Sequence, residues 1–287
     1  MSGGGELGTV GTAFDYRVRY YYEELPDRPF AAYLGAARFA AQCPAPTKAG
    51  TKVVTSPGQA FASQAELDAR VRMIVAFVSS LQALVGEIGP VGRRLSEAEE
   101  QRLDRYCLVL ALLEQFYRVA WLDSPPFAMP ERSLDELLAL PSQAQVEDLA
   151  RLSWRFYEEM TPAAGAAVCD PELDGKRVSG ADADLLLGDC LVELKSGQRA
   201  ALPACLRQLL AYTFLDAGDR LGIRSVGIYF ARHACFVRFD LDDLVSDLIS
   251  RKDRFVVREI CDRSGLPLEA NLATLRTQFR RRVPARM

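Results

Sequence analysis

Apolar positions along the chain fall into two regimes. From Thr12 to Met160 they recur every three or four residues, the period of a helix with one buried face, and from Gly165 onward short apolar runs alternate with polar turns, the pattern of strands. In the first regime Phe14, Val18, Tyr21 and Leu25 form a stripe that opens at Thr12-x-x-Asp15 and ends at Pro26. The Gly-rich residues 1–11 before it read as loose chain, and Arg17 and Arg19 beside the stripe read as a solvated helix edge. The Ala-rich segment 30–42 predicts a second helix. Residues 43–58, with Pro44, Pro46, Gly50, Pro57 and Gly58, predict a loop.

Four capping boxes follow, each opening a run of helical spacing: Ser63-x-x-Glu66, Ser96-x-x-Glu99, Ser133-x-x-Glu136 and Ser142-x-x-Gln145. In such a box the serine oxygen and the acid or amide three residues later satisfy orphan backbone donors at the helix start. Leu67, Val71, Ile74, Val78, Leu81 and Val85 make one predicted core stripe. Leu103, Leu110, Leu113 and Tyr117 make another, ending near Trp121. Residues 124–133 hold Pro125, Pro126 and Pro130 and mark a loop or hinge. A last helix runs from Ser142 to Met160 and stops at Thr161-Pro162.

The second regime centres on residues 180–195. Leu185 to Leu187 and Leu191 to Leu194 read as strands, with Gly188-Asp189 as a two-residue loop of the type II′ kind. Leu187 then faces Cys190, and counting back along the ladder sets Asp184 opposite Glu193 and Asp182 opposite Lys195, all four on one face. Like charges placed across strands destabilise by roughly 0.2–1 kcal/mol. A divalent cation relieves them, and Mg²⁺ takes one or two carboxylates plus waters and phosphate oxygens. Lys195 beside it can orient an attacking water and neutralise charge developing on phosphorus. The plain structural reading is a surface hairpin with a charged outer face; it is weakened by strands so apolar that they must be buried. Cys169-Asp170-Pro171 lies outside this hairpin. Beyond it, Pro203 opens a helix to about Asp216, residues 225–231 and 235–239 form a second hairpin around Arg232-His233, and Asp240-Leu-Asp-Asp243 starts another helix.

An Asp, a turn and then Glu193-Leu194-Lys195 resembles the core signature of the PD-(D/E)XK nuclease superfamily. Gln208-Leu-Leu-Ala-Tyr212 on the following helix resembles the QxxxY motif of its RecB-like and phage-exonuclease-like branch. The resemblance spans about residues 165 to 240, and no proline precedes Asp182 or Asp184. It implies a restriction-endonuclease-like α/β core with a mixed central sheet. It also implies Mg²⁺ or Mn²⁺ held by Asp184 and Glu193 with Asp182 as a further acid, Lys195 as the catalytic lysine, and Gln208 and Tyr212 placing the DNA strand.

Composition changes this picture little. The chain has 287 residues, 49% of them hydrophobic, and a net charge of −3, so no global positive field draws nucleic acid and any phosphate contact must be local. The seven cysteines form no CxxC and read as buried thiols, and the single histidine, His233, excludes most Ser-His-Asp chemistry. No signal peptide is visible and no stretch is expected to span a membrane, so the chain reads as cytoplasmic with no membrane partner. Five arginines between Arg276 and Arg286 serve either as a phosphate grip or as a solubilising tail. The organisation expected is a mainly helical region 1–162 packed on a nuclease-like α/β core 163–287. The function expected is metal-dependent DNA hydrolysis, with protein partners also in view. The alternative is a non-catalytic nuclease-fold binding or assembly subunit of a multi-protein defence or repair system.

Overall fold

The computed structural model describes residues 3–22, 32–33, 36, 64–89, 92–118, 133–160, 167–173, 183–198, 201–216 and 219–250. It is an α/β protein that divides into two compact units, Met1–Trp154 and Arg155–Met287. The expected helix 30–42 for the most part, the loops 43–58 and 124–132, the Ser63 cap, Asp182 and the C-terminal arginines lie outside the described residues.

The first unit is helical: α1 (Gly3–Tyr22), α2 (Gln64–Ile88), α3 (Glu97–Arg118), α4 (Leu134–Leu138) and most of α5 (Gln143–Glu159). Its helix starts follow the capping boxes. Glu99 N–H donates to Ser96 Oγ (3.4 Å) while Ser96 N–H donates back to Glu99 Oε2 (2.8 Å), and Ser142 and Gln145 make the same exchange at 3.3 and 2.9 Å. Ser133 Oγ accepts the Glu136 N–H.

Three expectations are corrected in this unit. Residues 3–11 are helical, because Thr9 and Val10 are buried and Thr9 Oγ1 accepts from Gln115 on α3 at 2.9 Å, so packing overrides glycine's poor helix propensity. Arg17 is not a solvated edge. It is 1% exposed, stacks on the Tyr21 ring at 4.0 Å, and forks onto Glu100 at 2.6 and 2.9 Å with Asp104 at 3.8 Å. The core face of α2 is carried by Met73, Phe77, Leu81, Leu84 and Val85, whereas Val71 is 43% exposed. The same helix also bears on the expected lack of a membrane span. Val71–Ile88 has a mean hydropathy of 1.6, long and apolar enough to span by length and composition alone.

The second unit holds a five-stranded mixed sheet in the order β1 (Ala167–Cys169), β2 (Leu185–Leu187), β3 (Cys190–Lys195), β4 (Ser225–Phe230), β5 (Cys235–Asp240). All pairings are antiparallel except β3 with β4, which α6 (Leu202–Leu215) connects. The β2–β3 turn pairs Leu187 with Cys190 across Gly188-Asp189, and of these two only Gly188 has positive φ (+58°), as a type II′ turn requires. Gly227 makes room for a neighbour: a Cβ there would stand 2.5 Å from the Phe236 ring on β5, which would have to shift. One sheet face, carrying Leu191, Val226 and Ile228, packs against Leu209, Leu210 and Phe214 of α6 and Leu241 and Val245 of α7 (Leu241–Ser250). On the other, Phe156 meets Tyr229 edge-on with ring centroids 5.2 Å apart. Asp240 caps α7 by accepting the Asp242 and Asp243 N–H groups.

Candidate active site

Glu193 and Lys195 occupy alternate positions of β3 and therefore share a face with Leu191, the face covered by α6. Register with β4 sets them beside Ile228 and Phe230, so they sit at the carboxyl end of the parallel pair, where the apolar floor gives way to the loop before α6. In open α/β sheets this is where ligands enter. Glu193 is sealed, its side chain 4% exposed, while the Lys195 side chain is 29% exposed and donates from Nζ to Glu193 Oε1.

Asp184 joins them from β2. The ladder ends at Leu185 opposite Val192, and one residue earlier the Asp184 carboxylate accepts the Leu194 N–H at 2.7 Å. Burial first, and then the like charge of Glu193, hold the Asp184 carboxyl up to about 7, against the Leu194 N–H and the Lys195 ammonium, which favour the anion. At Lys195 burial works against the charge, but the hydrogen bond to Glu193 and the charges of Glu193 and Asp184 outweigh it and raise the ammonium above the ordinary lysine range.

Two further residues meet this cluster that sequence patterning does not assign to it. Asp170, just past β1, donates its N–H to the Asp184 carbonyl at 3.2 Å, and its charge adds to those pushing Asp184 up. The β1–β2 register, Cys169 opposite Leu185, carries Asp170 to Asp184; a strand of three residues gives no sequence signal for that pairing. Cys205, in the first turns of α6, lies close enough to feel Lys195 and Glu193, although burial dominates and raises its thiol. Gln208 and Tyr212 continue the same helical stripe at i+3 and i+7. They act on each other, Gln208 Nε2 donating to Tyr212 Oη at 3.0 Å, and the partly buried Tyr212 packs against the core cluster under the helix. His233 is exposed in the tight turn between β4 and β5, away from any acid–base pair of its own.

The donor set suits a small hard cation. Asp184 and Glu193 offer carboxylate oxygens, burial and then the charge of Glu193 raise the Asp184 carboxyl to about 7, and Mg²⁺ needs only one or two carboxylates. Among the described residues no group of three or more His, Cys, Asp or Glu side chains is placed to hold an ion on protein ligands alone. Four of the five described cysteines are buried, only Cys235 is exposed, and none forms a disulfide. Comparison of the chain with models of protein families, with curated proteins and with solved structures finds no match.

Proposed function

We propose that the chain is a metal-dependent nuclease of the PD-(D/E)XK kind that hydrolyses phosphodiester bonds in DNA with Mg²⁺ or Mn²⁺ at Asp184 and Glu193. The observation that carries this reading is the convergence of Asp184, Glu193 and Lys195 at the carboxyl end of β3, with Asp184 raised to about 7 by burial and then by Glu193. A hairpin leading into the Glu-x-Lys strand, a helical crossover to a parallel strand and apolar packing on both sheet faces support a restriction-endonuclease-like core.

The residues divide the work by charge. Glu193 and Asp184 present oxygens to the cation, and Asp182 is the further acid beside them in the chain. A bound divalent ion supplies Lewis-acid polarisation of a phosphoryl oxygen and lowers the pKa of its water. Lys195, kept protonated, is no base at neutral pH; its ammonium orients the attacking water and meets the charge that builds on phosphorus, the place where fixed charges accelerate most. Gln208 and Tyr212, hydrogen-bonded to each other, line up the strand from α6.

The test is cleavage of linear and circular, single- and double-stranded DNA by the purified chain with Mg²⁺ or Mn²⁺, against the same mixtures with chelator. Metal-dependent cleavage that disappears in Lys195→Ala supports the reading. Cleavage undiminished in that variant removes it, and DNA binding without cleavage under every condition assigns the chain to the non-catalytic nuclease-fold class instead.

A further inference from the structure

The helical unit holds a cavity of about 250 Å³ between α2, α3 and α4 that has no part in the carboxylate site. Leu84 and Leu138 give it an apolar wall, and Ser80 and Tyr106 turn their hydroxyls together at 2.6 Å on another side. Two arginines one helical turn apart on α3 face it. Arg102 is neutralised, forking onto Glu87 at 2.9 and 3.1 Å. Arg105 is not: its guanidinium donates to the Gln143 side-chain oxygen at 2.7 Å and to the Pro141 carbonyl at 3.5 Å, both uncharged, and among the described residues no carboxylate pairs with it.

We propose that this cavity binds a small organic anion, a carboxylate or phosphate ester on a single-ring or similarly compact apolar body. The charge argument is direct. With Arg102 and Glu87 cancelling, the lining keeps one net positive charge, and a guanidinium with donors to spare matches the paired oxygens of a carboxylate or phosphate. The volume sets the size, since sites for drug-sized ligands run to about 300–1,000 Å³ and this one lies just below that range. The apolar wall and the hydroxyl pair supply what such sites commonly combine, a greasy surface with a few polar groups that fix orientation. A bare inorganic anion would leave the partly exposed Leu138 facing water, so a ligand with an apolar part fits better. This inference stands apart from the nuclease reading and shares no residue with it.

Calorimetric titration of the full chain with benzoate, phenyl phosphate and the neutral benzyl alcohol tests it, with thermal melts to verify folding. The expected result is saturable binding of at least one anion, at least about tenfold tighter than the alcohol, a difference of about 1.4 kcal/mol. Comparison of the two anions tells carboxylate from phosphate. Arg105→Gln should reduce the preference for anion over alcohol to about one, and Ala83→Phe, which fills the cavity while leaving both arginines, should abolish binding of either anion. No saturable binding of either anion, or an anion preference that survives Arg105→Gln, or binding unaffected by Ala83→Phe, overturns the proposal.

Discussion

Each unit of this protein buries a cluster of two acids and one base, and the two clusters end in opposite states. In the helical unit Arg17, Glu100 and Asp104 are each no more than 1% exposed, the guanidinium forks onto Glu100, and burial followed by the charge of Glu100 pushes the Asp104 carboxyl up, so the cluster is sealed around the Arg17–Glu100 pair. In the sheet unit Lys195, Glu193 and Asp184 include one side chain open to solvent, a lysine in place of an arginine, and an acid balanced near neutrality. A cluster sealed from solvent on every member offers nothing to a ligand and serves to hold helices together. A cluster at the end of a strand, with a partly exposed ammonium hydrogen-bonded to Glu193 and an acid raised to about 7, is the arrangement that the proposed metal chemistry requires. Exposure of the base and its place at the end of a strand distinguish the candidate site from the sealed polar core.

The largest effect should come from breaking the sealed cluster. Arg17→Met leaves Glu100 and Asp104 buried without their cation and should cost about 3–5 kcal/mol in a urea titration, whereas replacing all three residues with apolar ones of similar volume should recover most of that loss. A single variant that melts like the parent would show that the cluster does not hold the helices. The corresponding change in the open cluster should behave differently. On the proposed nuclease reading Lys195→Ala should lower turnover by about 10²–10³-fold, the scale of losing one fixed transition-state charge, and it should cost clearly less stability than Arg17→Met, because Glu193 loses its ion pair but Lys195 is itself partly solvated. Equal losses of stability in the two variants would erase the distinction drawn between the clusters.

What the sequence makes legible follows the range of the interactions involved. The capping boxes at Ser96 and Ser142 and the Gly188-Asp189 hairpin are settled within four residues, and local chemistry suffices to read them. Arg17 defeats a local reading because its partner Glu100 lies 83 residues away; on the helix alone an arginine beside an apolar stripe looks solvated. The buried face of α2 escapes periodicity because that helix is apolar nearly all round. Val71 and Val75 are exposed while Met73 and Phe77 are buried, so spacing alone cannot choose the face. At the site, Asp184, Glu193 and Lys195 are legible because a two-residue turn sets the register of everything that follows it, while Asp170 depends on a third strand that only the fold brings alongside.

The subtlest prediction concerns the one group in the open cluster that titrates near neutrality. Asp184 holds its proton up to about pH 7 in the folded protein, whereas an aspartate in the unfolded chain releases it near 4. The folded state therefore binds more protons than the unfolded state between about pH 4 and 7, so this residue's contribution is fully present below pH 4 and is lost as pH rises through 7. Asp184→Asn removes the charge while keeping an oxygen for the Leu194 N–H. The variant should match the parent in stability at pH 4 and exceed it at pH 8 by on the order of 2 kcal/mol, because a tenfold change in proton affinity is worth about 1.4 kcal/mol and relaxation around the charge offsets part of the total. Mg²⁺ or Mn²⁺ should reverse the ranking at pH 8, raising the melting temperature of the parent and leaving Asp184→Asn nearly unmoved, and the gain in the parent should shrink at pH 6, where the proton competes with the ion for the same oxygens. A parent protein no less stable at pH 8 than its Asn variant without metal would show that Asp184 ionises in the fold at little cost, and a metal response identical in the two would remove Asp184 from the proposed ion site.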